Sequence, residues 1–304
     1  MLEPILEADF RPCSYGFRPG RRAQDAIEEI RHLAAHAYEW VLEGDITACF
    51  DELSHVGIMD RLRQRIADSR VLALVKAFLK AGILTEDGGW RETTTGAPQG
   101  GILSPLLSNL ALSGLDEHAA WAWQAMGTAS QRHDRRQRGE ATWRLVRYAD
   151  DFVVMVAGTR AHAQALTDEV AAVLATMGLR LSEAKTSIRH IDEGVDFLGW
   201  RVQRHQQQGS QRRYVYTYPS KKALAAVKAT VRTLTTTMRN QPLTVLLHRL
   251  NWVLRGWTTY FRYGSSSATF DYLRAFTWRR VVCWLRRKHP RISWKQLRRR
   301  YLPG

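Results

Sequence analysis

The sequence predicts an α+β fold: an antiparallel sheet covered on one face by helices, followed by a separate all-α unit. Three observations carry that expectation. Between Leu145 and Val156, apolar and β-branched residues flank Asp150-Asp151, which reads as strand, tight turn and strand with two carboxylates at the tip. Around this hairpin the elements run strand, helices, hairpin, helix, strands, an order that suits a sheet with helices packed on it. Charge is also divided along the chain. Residues 197–304 hold 23 Lys or Arg and one acid, Asp271, whereas residues 1–196 hold 22 basic and 28 acidic residues.

In chain order, residues 1–20 are polar and turn-rich, and Tyr15 to Gly20 suit neither a regular helix nor a strand. Arg21 to Tyr38 carries Ala23, Ile27, Ile30 and Ala34 at spacings of three and four, an amphipathic helix. Trp40 to Ile46 is a short buried strand that delivers Asp45 near its end. Ser54 is a good N-cap for a helix through Met59, Leu62 and Ile66, and a second helix spans 70–81. Thr93 to Gly101 is a flexible loop leading into a helix whose apolar face is Leu103, Leu106, Leu107, Leu110 and Leu115. The charged stretch 127–140 lacks periodicity and reads as an exposed loop. After the hairpin, Thr159 caps a helix ending at Gly178; strands follow near 187–191, 195–202 and 214–218, and from Ser220 onward the pattern is helical.

Composition narrows the function classes. Hydrophobic content is 45%, and no apolar run is long enough to span a bilayer. The start lacks a basic region followed by an apolar segment, and Cys13, Cys49 and Cys283 fit no paired zinc spacing. Reduced thiols in a cytoplasmic protein without membrane partners are the expectation. The net charge of +16 arises from +22 after residue 196 and −6 before it. A polyanion lying against the basic part follows from that asymmetry.

Asp45, Asp150 and Asp151 are the chemical centre of the sequence. Adjacent carboxylates repel, and hard oxygen ligands suit Mg²⁺ as their counter-cation. If neighbouring strands bring the three together, they would hold two Mg²⁺ about 3.5–4 Å apart, an arrangement suited to in-line displacement at phosphorus.

Longer motifs carry a resemblance. Tyr148-Ala149-Asp150-Asp151 resembles the signature of reverse transcriptases, and residues 96–109 (GAPQGGILSPLLSN) their template and nucleotide loop with its helix. Residues 14–21 (SYGFRPGR), 181–186 (LSEAKT) and 197–200 (FLGW) are similar to further blocks of group II intron-encoded proteins. Residues 250–261 (LNWVLRGWTTYF) resemble their maturase segment, domain X. The resemblance covers nearly the whole chain in the right order. It implies a right-hand polymerase with partial fingers over 1–40, a palm over 41–203, and a thumb and maturase domain over 204–304. It further implies that the family's first fingers block and C-terminal endonuclease module are absent.

The resemblance implies roles residue by residue. Asp45, Asp150 and Asp151 become metal ligands, and Lys185 a proton donor to pyrophosphate or a phosphate ligand. Phe50 becomes the gate that excludes a ribose 2′-hydroxyl, with Gln99, Gly100 and Ala149 at the incoming nucleotide or template. Phe197, Leu198 and Gly199 match a primer-gripping hairpin. Arg255, Arg262, Arg279, Arg280, Arg286, Arg287 and Lys288 are the expected RNA contacts, since phosphate binding is dominated by basic side chains. Partners would be group II intron RNA, a DNA primer or target, deoxynucleoside triphosphates, and a second copy or a complementing fingers fragment. Two functions stay open: RNA-directed DNA synthesis with intron splicing, or an intron-RNA-binding maturase fragment that no longer polymerises. An RNA-dependent RNA polymerase is disfavoured by Phe50, where such enzymes tend to keep a ribose-reading Asp.

Overall fold

The computed structural model describes residues 2–81, 83–84, 90–91, 95–97, 101–207 and 209–301. The chain divides into two compact units, 1–195 and 196–304.

The first unit opens with a short helix, α1 (Leu2–Glu7), where the sequence suggested only turns. Tertiary contacts account for it: Leu6 is buried, and Glu7 takes the guanidinium of Arg18 at 2.6 Å. Next come α2 (Ala23–Ala35), β1 (Trp40–Gly44), α3 (Cys49–Glu52), α4 (His55–Arg63) and α5 (Ser69–Leu79). The Ser54 hydroxyl caps α4 by accepting from the Gly57 amide. Short strands β2 (Ile83–Leu84) and β3 (Trp90–Arg91) pair with each other before the long helix α6 (Ser104–Ala125). The stretch 127–140, expected as a loop, contains a helix, α7 (Ala129–Gln137). It has no apolar stripe and buries nothing, so periodicity could not reveal it. A capping box of Thr128 with Gln131 starts it.

β4 (Thr142–Tyr148) and β5 (Asp151–Ala157) form the central hairpin, followed by α8 (Arg160–Thr176) and β6 (Ser187–His190). These strands and β1 make an antiparallel sheet in the order β4-β5-β1-β6. Helices cover both faces rather than one. Trp143, Leu145, Phe152, Val154 and Val156 join the core cluster built with α6 and α8. The alternate residues Val146, Val153 and Met155 are equally buried, and α2 packs along β4 and β5 outside that cluster.

The second unit is not helical throughout. A three-stranded sheet of β7 (Val195–Phe197), β8 (Trp200–Gln206) and β9 (Arg213–Pro219) precedes helices α9 (Lys221–Thr237), α10 (Leu243–Phe261), α11 (Ser267–Lys288) and α12 (Trp294–Tyr301). Val231, Leu246, Leu250, Val281, Trp284 and Leu285 form the helical core. Among the described residues no helix is long and apolar enough to cross a membrane, and the three cysteines are free.

Candidate active site

Strand pairing brings the three aspartates to one end of the first sheet. In the β1–β5 register Gly44 stands opposite Phe152, so one further step sets Asp45 beside Asp151. Asp151 also pairs with Tyr148 across the hairpin, leaving Ala149 and Asp150 as the two turn residues. Ala149 has φ of +58°, a left-handed conformation that a non-glycine side chain adopts only when its surroundings impose it. Asp150 is half-buried and Asp151 exposed.

Beyond Asp45 the backbone is pinned by the segment before β6. The Ser182 amide donates to the Asp45 carbonyl at 2.8 Å, and the Thr47 amide to the Arg180 carbonyl at 2.9 Å. That pairing delivers Lys185, whose Nζ lies 3.1 Å from Oδ2 and 3.4 Å from Oδ1 of Asp45. Hard carboxylate oxygens carried on adjacent strands fit Mg²⁺ in donor chemistry and in backbone placement. Among the described residues, however, no three His, Cys, Asp or Glu side chains are gathered into a metal-binding group. The Asp45 carboxylate is engaged by Lys185 instead.

Phe50 is half-buried on α3, entered through Ala48 in a left-handed conformation at φ +44°. Its carbonyl accepts from the Ala97 amide at 2.8 Å, and the Leu53 carbonyl accepts from the Gly96 amide at 2.8 Å. His55 Nε2 reaches the Gly96 carbonyl at 2.5 Å. Gly96 has φ of +87°, and a Cβ there would stand 2.8 Å from the carbonyl oxygens of Phe50 and Asp51, so glycine alone fits. The loop expected at the nucleotide is thus moored to the element bearing Phe50. Gln99 and Gly100 lie outside the described residues.

Beneath the turn sits a buried network centred on Arg147 and Asp116, to which the sequence motifs assigned no role. Arg147 and Asp116 form an ion pair with both side chains fully inaccessible, at 2.8 and 2.5 Å. Arg147 also donates from Nη1 to Asn109 Oδ1 at 3.0 Å and to the Ala149 carbonyl at 2.7 Å, and from Nη2 to Ser14 Oγ at 2.8 Å. Burial works to lower the guanidinium's pKa, but the charge and hydrogen bonds of Asp116 outweigh it and raise the pKa above the ordinary value. Asn109 Nδ2 in turn donates to the Gly16 carbonyl at 2.8 Å. One signal was available: an arginine inside an apolar strand has to find a partner.

In the second unit, Phe197 and Trp200 flank a turn at Leu198 and Gly199 with φ of +49° and +80°, the signature of a type I′ hairpin. The Tyr260 hydroxyl holds it by donating to the Leu198 carbonyl at 2.9 Å. Of the basic residues singled out, Arg255, Arg262, Arg279, Arg286 and Arg287 are exposed. Arg280 and Lys288 are half-buried and used internally. Arg280 donates to Thr235 Oγ1 at 2.8 Å, joining α11 to α9, and Lys288 to the Gln241 carbonyl. Among the aromatic residues Trp284 is core, whereas Trp252 is 70% exposed.

Comparison with known proteins agrees with this architecture. Residues 1–202 match the family Reverse transcriptase (RNA-dependent DNA polymerase), and residues 224–302 match Group II intron, maturase-specific domain. Protein YkfC of Escherichia coli (strain K12) is 37% identical over 241 residues, 73% of this chain and 63% of that protein. The Group II intron-encoded protein LtrA of Lactococcus lactis subsp. cremoris is 30% identical over 247 residues, 66% of this chain and 41% of that protein. The chain therefore spans less than two thirds of either relative's length. A telomerase from Candida albicans, solved with a TWJ fragment of telomeric RNA, shares the fold at a TM-score of 0.51 and 13% identity, over 96% of this chain and 54% of that one. On the strength of the first match, which takes in the aspartate turn, Asp45 and the network beneath them, the chain belongs to the reverse transcriptase family, with a group II intron maturase-specific domain following the polymerase domain.

Proposed function

We propose that this chain is an RNA-directed DNA polymerase that also binds and helps to splice a group II intron RNA. The observation that supports it most is the strand register that sets Asp45 beside the Asp150–Asp151 turn, with Lys185 at 3.1 Å. Asp45, Asp150 and Asp151 would hold two Mg²⁺, whose contribution when bound is to activate a primer 3′-hydroxyl and to neutralise triphosphate and pyrophosphate charge. Lys185, already poised at this cluster, binds a phosphate oxygen or gives a proton to the departing pyrophosphate. The Phe50 ring excludes a ribose 2′-hydroxyl by volume and so selects deoxynucleotides. Ala149, with Gln99 and Gly100 by their match to the family's loop, takes the role of contacting the incoming nucleotide or template. Phe197, Leu198 and Gly199, on a turn fixed by Tyr260, grip the DNA primer. The intron RNA lies against the exposed arginines of residues 197–304, whose basic excess provides affinity, while stacking on exposed rings such as Trp252 adds selectivity.

The test is primer extension on an RNA template with deoxynucleotides and Mg²⁺, alongside binding to a group II intron RNA. Asp150→Ala is expected to abolish DNA synthesis and leave RNA binding intact. Synthesis that survives Asp150→Ala refutes the polymerase assignment, and weak, salt-insensitive RNA binding by the unaltered chain refutes the maturase assignment.

A further inference from the structure

We infer that Arg147 is the positioning residue of the catalytic turn: held by Asp116, it fixes the peptide between Ala149 and Asp150 and thereby aims the Asp150 carboxylate. The inference rests on the reading of this turn as the site of nucleotidyl transfer. A guanidinium has five N–H donors, and here each has an acceptor: two on Asp116 and one each on Asn109, Ser14 and the Ala149 carbonyl. A buried ion pair is seldom more stable than apolar residues of the same volume, so its presence on a strand buried among the core residues Trp143, Leu145 and Val146 calls for another account. Geometry supplies one. The fork is planar and rigid, and it directs one N–H at the carbonyl of a residue in left-handed conformation. The atom after that peptide's nitrogen is the Asp150 Cα. Holding the carbonyl restrains the tilt of that peptide, and with it the position of the Cα from which the Asp150 side chain departs.

The other acceptors tie this turn to two distant segments. Ser14 belongs to the strand-like segment bridged to Arg147, where the Tyr15 amide donates to the Arg147 carbonyl at 2.8 Å. Asn109 and Asp116 lie on α6, which begins just after the loop moored to Phe50. The turn therefore shares one rigid frame with the helix that follows the nucleotide loop.

Arg147→Lys tests this, because it keeps the charge beside Asp116 but offers a point charge in place of the fork. The expected result is an RNA affinity near that of the parent chain and a folded protein whose melting temperature is lowered only by the buried acceptors that a three-donor ammonium leaves unmet. The kcat of primer extension should be about a hundredfold lower, since misplacement of about 1 Å costs that much, with the deoxynucleotide KM little changed. Mn²⁺ affinity, read by electron paramagnetic resonance without substrate, should fall as well. A paired Arg147→Met, Asp116→Leu variant, which removes both charges from the core, should fold and show the same kcat and Mn²⁺ losses. Unchanged kcat and Mn²⁺ affinity in folded Arg147→Lys overturns the inference, as does parallel loss of melting temperature, RNA binding and kcat in both variants. Asp150→Ala is run beside them. If that variant still synthesises DNA, the functional reading falls, and the Mn²⁺ measurement alone decides whether Arg147 aims the carboxylate.

Discussion

Gly16→Ala should damage catalysis with little effect on the rest of the molecule, because of what lies 2.3 Å from the place its Cβ would take. That neighbour is the backbone nitrogen of Ala149, and the Tyr148 carbonyl carbon follows at 2.9 Å. Gly16 is not in a left-handed conformation, so alanine meets no backbone strain of its own. The reduced freedom of the unfolded chain would even favour alanine by about 0.4–1 kcal/mol. Contact is the obstacle. Carbon and nitrogen at ordinary van der Waals separation lie about 3.5 Å apart, so one backbone or the other has to yield by more than about 1 Å. Gly16 is held by Asn109 and the turn by Arg147, so both backbones resist and the aspartate turn takes a share of the displacement.

Overpacking of this kind costs about 1–3 kcal/mol, which the favourable term partly offsets. The net loss of stability should lie between about 0 and 2.6 kcal/mol. Displacing Asp150 by about 1 Å should lower kcat about a hundredfold, equivalent to about 2.7 kcal/mol of transition-state stabilisation. Single-turnover primer extension measures the second quantity, and denaturant unfolding the first. Extension at the parent rate in a variant with unchanged stability would show that segment 13–16 does not bear on the turn.

Three further outcomes follow from the placement of side chains. Replacing exposed Arg286 and Arg287 together by Gln should reduce the slope of log K against log salt for RNA binding by about 1.5. Arg280→Gln should leave that slope alone and lower the melting temperature, since Arg280 is spent on Thr235; filter binding across a salt series separates them. Burial, with the Asp150 charge adding to it, pushes the Cys49 thiol up to about 12 from an ordinary value of 9.0. Because the folded value is raised, the stabilising contribution is complete below pH 9 and is lost as pH climbs toward 12, at about 1.4 kcal/mol per unit. The stability difference between the parent chain and Cys49→Ala should therefore shrink above pH 9, and a difference independent of pH would contradict the assigned environment.

The hairpin and its partner strand were legible because they write their structure in the residues they use. Alternating and β-branched apolar residues on both sides of Asp150-Asp151 leave few other conformations, and Asp45 closes a run of the same kind. The covering of both sheet faces, where one was expected, did leave a sign in the unbroken apolar run from Phe152 to Ala157, a pattern of strands buried on both sides. Elements with no apolar stripe were not legible. α7 is announced only by Thr128 and Gln131, and α1 depends on Arg18, eleven residues beyond Glu7. Nor does sequence say which of several arginines on one helix turns inward. Arg280 differs from Arg279 only by one position, yet that rotation carries it from solvent to Thr235. Arg147 was hidden most completely, because its meaning lies in Asp116 and Asn109, on a helix whose register against β4 no local pattern specifies.

Three carboxylates at one end of a sheet repel one another, and two kinds of contact could hold them in place. The contact made to a carboxylate directly is the weaker kind. Lys185 is 70% exposed, and an ion pair so open to water contributes about 0–1 kcal/mol. The contacts made to the backbone beneath are of another order, since stripping one partner from a fully buried ion pair costs about 3–5 kcal/mol. Alignment of the turn is therefore set from below, by Arg147 on the Ala149 carbonyl and by Gly16 against the Ala149 nitrogen, while the Asp45 carboxylate can exchange Lys185 for another cation. A site built this way keeps its backbone geometry whether or not its ligands are charged or paired. Its rate should accordingly be far more sensitive to a buried methyl group at position 16 than to any change among the exposed charges of the same unit.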